Sequence, residues 1–308
     1  MGKWGAAITI ILFLGIISYA TANILGERIA YDNGLTIDTI VIIPIKGVIT
    51  ADSDTGIGFG GGAASSKIVE AIQRAKKDSA IKGIIFEINS PGGTVVASEE
   101  IANAIKEAGK PTTAWIREIG TSGAYWIASA TNIIVASPMS FTGSIGVIGS
   151  YLEFSDLMEK YGLKYEGLVT GKYKDTGSIY KDLSIEEREI LMKKLNAVHD
   201  YFVENVARNR RMNKTKVAEL ATGMFYLGKE AKELGLVDYL GGKKEAIELT
   251  KKTANITKAI IIEYREKKGI TDILREFSAE FAYQLGSGLG KTLKIMDVGT
   301  ELKPVEAI

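Results

Sequence analysis

From residue 39 to residue 136 the chain alternates short β-branched runs with stretches of helical pattern, and this narrows the possible folds more than any other feature. Residues 39–46 form a strand pattern, 65–77 a helix, 83–89 a strand, 95–108 a helix and 112–117 a strand. A short helix then opens near Ser122 and leads to a strand over 132–136. Apolar strands joined by helices of this length predict an α/β fold with a largely parallel sheet. The longest helix is predicted over 184–209. Ser184 and Glu187 have capping-box spacing, and Leu191, Leu195, Val198, Phe202 and Val206 recur at steps of three and four. A helix-and-turn unit over 215–240 follows, then a strand over 259–264 and an amphipathic helix over 272–285. No internal repeat is visible.

No side chain from Trp4 to Leu25 is charged. At about 1.5 Å per residue such a run crosses a hydrocarbon core of roughly 30 Å. Lys3 precedes it, so the positive-inside bias puts the N-terminus in the cytoplasm and the remainder outside. A competing reading is a signal peptide cleaved after Ala22, because Ala20-Thr21-Ala22 fits the small-x-small pattern. Apolar character continuing to Ile24 and Leu25 favours an uncleaved membrane anchor. The expected organisation is an anchor over 1–30, a main domain over 31–250 and a C-terminal strand-helix extension over 251–308.

Composition narrows the chemistry. The chain has no cysteine, which excludes thiol nucleophiles, disulfides and thiolate metal sites. Its single histidine, His199, excludes a multi-histidine metal centre. With 38 basic and 37 acidic side chains, nothing points to nucleic acid as a partner. The loop over 52–64 carries five glycines among residues 56–62 but lacks a Gly-Lys-Ser/Thr ending, so it is not a phosphate-binding loop.

Two strand-to-helix turns could carry catalysis. In Asn89-Ser90-Pro91-Gly92-Gly93 the glycines permit a sharp turn, and amides there can hold an oxyanion. In Gly120-Thr121-Ser122-Gly123-Ala124-Tyr125 small neighbours leave the Ser122 hydroxyl accessible, although the pattern is not the Gly-x-Ser-x-Gly elbow. A serine in this position can equally be a helix N-cap. A serine nucleophile needs a base. His199, mid-helix beside the apolar stripe, reads as a half-exposed helical residue rather than that base. The alternative is a lysine, whose pKa of about 10.4 would have to fall to roughly 7.4–8.4, at a cost of about 3–4 kcal/mol, by burial. Gly171-Lys172-Tyr173-Lys174-Asp175 is the stretch that stands out, and residue types alone leave its lysines open.

The ordered set of motifs resembles the short form of the SppA-type signal peptide peptidases. These motifs are residues 88–93, Thr121-Ser-Gly-Ala-Tyr125, Thr142-Gly-Ser-Ile-Gly-Val147, 171–175 and Ala231-Lys-Glu-Leu-Gly-Leu-Val-Asp238. The resemblance covers about 39–250. It implies a ClpP/crotonase-like fold, a serine endopeptidase without cofactor or metal, and a homo-oligomeric ring. Its expected substrates are signal peptides or other apolar peptides. By the same resemblance Ser122 is the nucleophile, Lys174 the general base, Ser144 the residue orienting Lys174, and Gly93 and Gly123 the oxyanion-hole amides. Lys172 is set aside because the family's lysine directly precedes the aspartate. Two other readings remain to be tested: a crotonase-type acyl-CoA enzyme and a non-enzymatic ring-forming scaffold.

Overall fold

The computed structural model describes residues 37–52 and 62–264. The expected anchor over 4–25, the cleavage point at Ala22 and the C-terminal helix over 272–285 lie outside these residues. Among the described residues no helix is long and apolar enough to cross a membrane.

Each strand follows from its β-branched run. Strand β1 (Thr39–Lys46) sends Val41, Ile43 and Ile45 to one face and Ile40 and Ile42 to the other, as the two-residue period demands. Both sets are buried, so the strand is apolar throughout its middle. β4 (Ile81–Ser90) runs two residues longer than predicted at its N-terminal end and one at its C-terminal end, and β5 (Thr112–Thr121) runs four residues longer at its C-terminal end. β6 (Ile133–Ala136) lies beside β5. Among the described residues the main sheet has eight strands, in the order β10 (Ile260–Glu263), β1, β4, β5, β6, β9 (Tyr239–Leu240), with β7 (Phe141–Gly143) paired to both β5 and β8 (Phe225–Leu227). All of these pairs are parallel except β7–β8. β2 (Ile49–Thr50) and β3 (Ala63–Ala64) form a separate small pair.

Helices cover both faces. Helices α1 (Ser65–Lys77), α2 (Val95–Lys106) and α3 (Gly123–Ser129), with the C-terminal part of α5 (Ile185–Arg210), contribute to the larger core around Phe86, Tyr125 and Ile127. α4 (Ser155–Lys160) lies between β7 and α5 in sequence and buries no residue. After α5 come α6 (Lys214–Leu220), α7 (Gly228–Glu233), β9 (Tyr239–Leu240) and α8 (Lys243–Thr253). Helix α8 supplies Ala246 to a smaller core on the opposite face, with Ile40, Ile42, Ile85 and Val135. It runs through residue 250, where the sequence reading sets a domain boundary. β10 (Ile260–Glu263) then pairs with β1 at the edge of the same sheet.

The capping box at the start of α5 forms as the sequence predicts. The Glu187 amide donates to Ser184 Oγ (3.2 Å) and the Ser184 amide donates to Glu187 Oε2 (3.0 Å). The apolar stripe behaves in two ways. Phe202 and Val206 are in the core, whereas Leu191, Leu195 and Val198 are only half-buried and the last two line cavities.

Candidate active site

The C-terminal ends of β4, β5 and β7 converge on one place. Ser122 is the first residue after β5, and Ser144 is the first after β7. Because Thr121 and Gly143 are register partners in these adjacent strands, the two serines stand side by side in the topology. Both have positive φ, 54° at Ser122 and 49° at Ser144. Such backbone costs a non-glycine residue about 1–3 kcal/mol and persists only where the surroundings over-determine it. At Ser122 the amide donates to Gly143 O (2.8 Å), and the carbonyl accepts the first turn of α3 from the Trp126 amide (3.0 Å). At Ser144 the amide donates to Met224 O (3.1 Å) and the hydroxyl to Gly223 O (2.8 Å).

The turn after β4 lies directly against the Ser122 turn. Gly92 has φ 103°, and a Cβ there would stand 2.9 Å from Ser122 Cβ and 2.8 Å from the Gly123 nitrogen. Gly93 bridges to Ile49: the Ile49 amide donates to Gly92 O (2.9 Å), and Ile49 O accepts from the Thr94 amide (2.9 Å). That pairing leaves the Gly93 N–H directed away from Ile49. The Gly123 N–H is the first amide of α3 and has no acceptor within its own helix. A Cβ on Gly123 would lie 3.4 Å from the Gly93 nitrogen, so the two free donors are neighbours.

A cavity of about 640 Å³ opens on this point. Ser122, Gly93, Gly123 and Ser144 line it, facing an apolar wall that includes Val95, Trp126, Val198 and Phe202. Trp126 stacks on Phe202 at 4.9 Å between ring centroids, which stiffens the wall. His199, read from sequence as a half-exposed helical residue, also lines the cavity and contacts Ala221 O through Nε2 at 3.0 Å. No sequence signal indicated this, because it depends on residues 221–223 returning to α5.

Lys174 stands apart. It lies in the turn over 171–177, is exposed, and does not line the Ser122 cavity. Its backbone amide donates to Gly171 O (3.1 Å). The neighbouring lysines are paired: Lys172 Nζ reaches Glu186 Oε1 (2.8 Å), and Lys181 Nζ reaches Asp175 Oδ1 (3.0 Å) and Glu187 Oε1 (2.9 Å). Hydrogen bonding to Glu186, and then to Tyr173, raises the Lys172 pKa above the ordinary lysine value and keeps that amine protonated, unable to accept a proton. No ion pair engages Lys174 among the described residues. The single chain therefore brings together Ser122, Ser144, Gly93 and Gly123, but not Lys174.

Residues 104–257 match Peptidase family S49. The chain is 34% identical over 237 residues to a putative protease of Methanocaldococcus jannaschii, covering 76% of this chain and 74% of that one. It is 32% identical over 266 residues to a putative signal peptide peptidase SppA of Enterococcus faecium, covering 85% and 77%. A chloroplastic serine protease SPPA of Arabidopsis thaliana is 32% identical over 278 residues, which span 88% of this chain and 40% of that one. Among solved structures, the 1510-N membrane-bound stomatin-specific protease in complex with a substrate peptide superposes with a TM-score of 0.51 at 16% identity. That match covers 80% of this chain and 100% of the other and reflects a shared mixed α/β fold.

Proposed function

As the chain belongs to peptidase family S49 and is a serine peptidase, we propose that it hydrolyses apolar peptides, signal peptides among them, with a Ser122–Lys174 dyad on a ClpP/crotonase-like fold. One observation carries this reading. Two serines with positive φ end adjacent parallel strands, and two unpaired glycine amides meet them at one apolar-walled cavity. Strained backbone in that position is a recognised means of presenting a nucleophile.

In the proposed reaction neutral Lys174 Nζ, oriented by Ser144 Oγ, takes the proton from Ser122 Oγ as that oxygen attacks the peptide carbonyl. The Gly93 and Gly123 amides stabilise the oxyanion, each by about 3 kcal/mol. The lysine proton passes to the departing amine as the C–N bond breaks, leaving an ester on Ser122. Water then attacks the ester by the same route and regenerates the hydroxyl.

A lysine base must be shielded from water, and the Lys174 side chain is exposed in the single chain. Assembly into a homo-oligomeric ring supplies the missing cover in this reading. The flanking segment supports that role: Ile148 is 93% exposed and Leu168 94%. The uncharged run from Trp4 to Leu25 anchors the enzyme in the cell membrane, with its N-terminus in the cytoplasm and the catalytic domain outside. The name of the relative from E. faecium, putative signal peptide peptidase, accords with signal peptides as substrates.

The test is hydrolysis of an apolar fluorogenic peptide by the full chain in detergent. Ser122→Ala and Lys174→Met each abolish turnover, and Lys172→Met retains it. A fluorophosphonate attaches to Ser122, as peptide mass mapping reads. Full activity in either of the first two variants overturns the dyad.

A further inference from the structure

We propose that His199 sets the size limit of the substrate residue whose carbonyl Ser122 attacks, by forming a removable partition between two cavities. This rests on the Ser122 reading above. A second cavity, of about 430 Å³, adjoins the catalytic one and is bordered by Met192, Leu195 and Asn196 of α5. Three residues line both cavities: Val147, Ile148 and His199. The division between them is therefore built from the strand exit after Ser144 on one side and a single imidazole of α5 on the other.

The imidazole is held in place. Its Nε2–H donates to Ala221 O at 3.0 Å, and residues 221–223 carry the Gly223 carbonyl that accepts the Ser144 hydroxyl. A ring fixed at one nitrogen cannot swing aside cheaply, because doing so leaves a part-buried carbonyl without its donor. The wall on the Ser122 side is apolar, through Val198 and Phe202, and the far cavity is also largely apolar, through Met192 and Leu195. A medium-sized apolar side chain fills the near cavity and stops at the imidazole. A longer or two-ring side chain needs the space beyond it. Shortening residue 199 joins the two spaces without touching the nucleophile, the oxyanion amides or Lys174.

The experiment uses the full chain in detergent and three fluorogenic peptides that differ only in the residue before the scissile bond: leucine, phenylalanine and biphenylalanine. His199→Ala is expected to raise kcat/KM for biphenylalanine relative to leucine about tenfold. His199→Phe, which keeps the bulk but loses the hydrogen bond that holds the ring, gives a ratio between those of wild type and His199→Ala. Val147→Ala, at the half-buried residue that also lines both cavities, thins the partition from the other side and shifts the ratio in the same direction, so the test survives if His199→Ala fails to fold. Ratios within twofold of wild type in folded His199→Ala or in Val147→Ala overturn the proposal. So does an equal shift in His199→Phe, which would assign the effect to the bond with Ala221. Fluorophosphonate labelling of Ser122 in each variant separates this failure from failure of the nucleophile assignment.

Discussion

Replacing Gly93 by alanine puts the oxyanion-hole assignment to a quantitative test. An alanine Cβ at this position would lie 1.9 Å from Ile49 O, 2.5 Å from its nitrogen and 2.6 Å from its carbonyl carbon. Real Cβ contacts essentially never fall below 3.0 Å, so the turn must move from β2 by more than an ångström. Backbone atoms cannot rotate away as a side-chain tip can. The movement breaks the two 2.9 Å hydrogen bonds between Ile49 and the 92–94 turn. At about 0.5–1.5 kcal/mol each, stability falls by about 1–3 kcal/mol. The larger effect is on rate, because the displaced Gly93 amide no longer aims at the oxyanion. Misplacement by an ångström, or loss of one donor, costs about 10²- to 10³-fold in kcat. Steady-state hydrolysis of a fluorogenic peptide, read at saturation and at a temperature where melting shows the variant folded, measures this. Gly109→Ala is the control. It has φ +66° and no atom within 4 Å of its Cβ, and it sits before the opposite end of β5. It should lose about 1–2 kcal/mol of stability and keep wild-type kcat. A folded Gly93→Ala enzyme with kcat within threefold of wild type would refute the assignment.

Two further outcomes follow from buried polar groups. Hydrogen bonding from Lys181, and then from the Ser184 amide and hydroxyl, pulls the Glu187 carboxyl down from 4.5 to about 2. A depressed acid stabilises the fold above its unfolded pKa, and that contribution disappears as pH falls from about 4.5 towards 2. Wild-type Tm should therefore drop more steeply across that window than Tm of Glu187→Gln, and parallel curves would contradict the clamp. Tyr125 is fully buried, and its hydroxyl donates to Leu236 O at 2.9 Å. Burial pushes its pKa up, so it remains a donor at any working pH. Tyr125→Phe strands that carbonyl and should cost about 1–3 kcal/mol, seen as a lower urea midpoint with unchanged m; an unshifted midpoint would rule this out.

The legible parts of the fold are those with local physical causes. β1, β4 and β5 showed in the sequence because β-branched runs buried on both faces leave an unbroken apolar signature. The start of α5 showed because Ser184 and Glu187 satisfy each other within one turn. β7, β8 and β9 are two or three residues long and exist through their partners, so no window of sequence marks them. The same reason hid the pairing of Ser144 with Ser122, which depends on the β5–β7 register. Motif resemblance, rather than residue chemistry, singled out Ser144 and Lys174. His199 is the half-exposed helical residue its position predicts, but its place between two cavities was not legible: the helical pattern at Leu195 and Val198 resembles a core stripe, yet these residues line cavities on α5 ahead of its buried C-terminal part.

On the proposed reading, the two dyad partners are held unequally. Ser122 is held in place within one chain by two backbone hydrogen bonds and a neighbouring glycine turn, and its strain is already present before any substrate arrives. Among the described residues Lys174 is anchored through its own backbone alone, in a turn whose flanking side chains Lys172, Tyr173 and Asp175 are tied to α5 or to Lys181. Desolvating an unpaired amine is costly, and a partner charge near Lys174 would hold the proton on it. A turn that pairs its other polar groups and leaves one amine unpaired meets the second requirement while deferring the first. On the proposed reading, the burial that makes Lys174 a base comes from covering the apolar surface around Ile148 and Leu168. The hydrophobic gain of that contact can offset the desolvation cost. Proteolytic competence is then coupled to assembly, and an isolated chain would carry a formed nucleophile with no base to activate it.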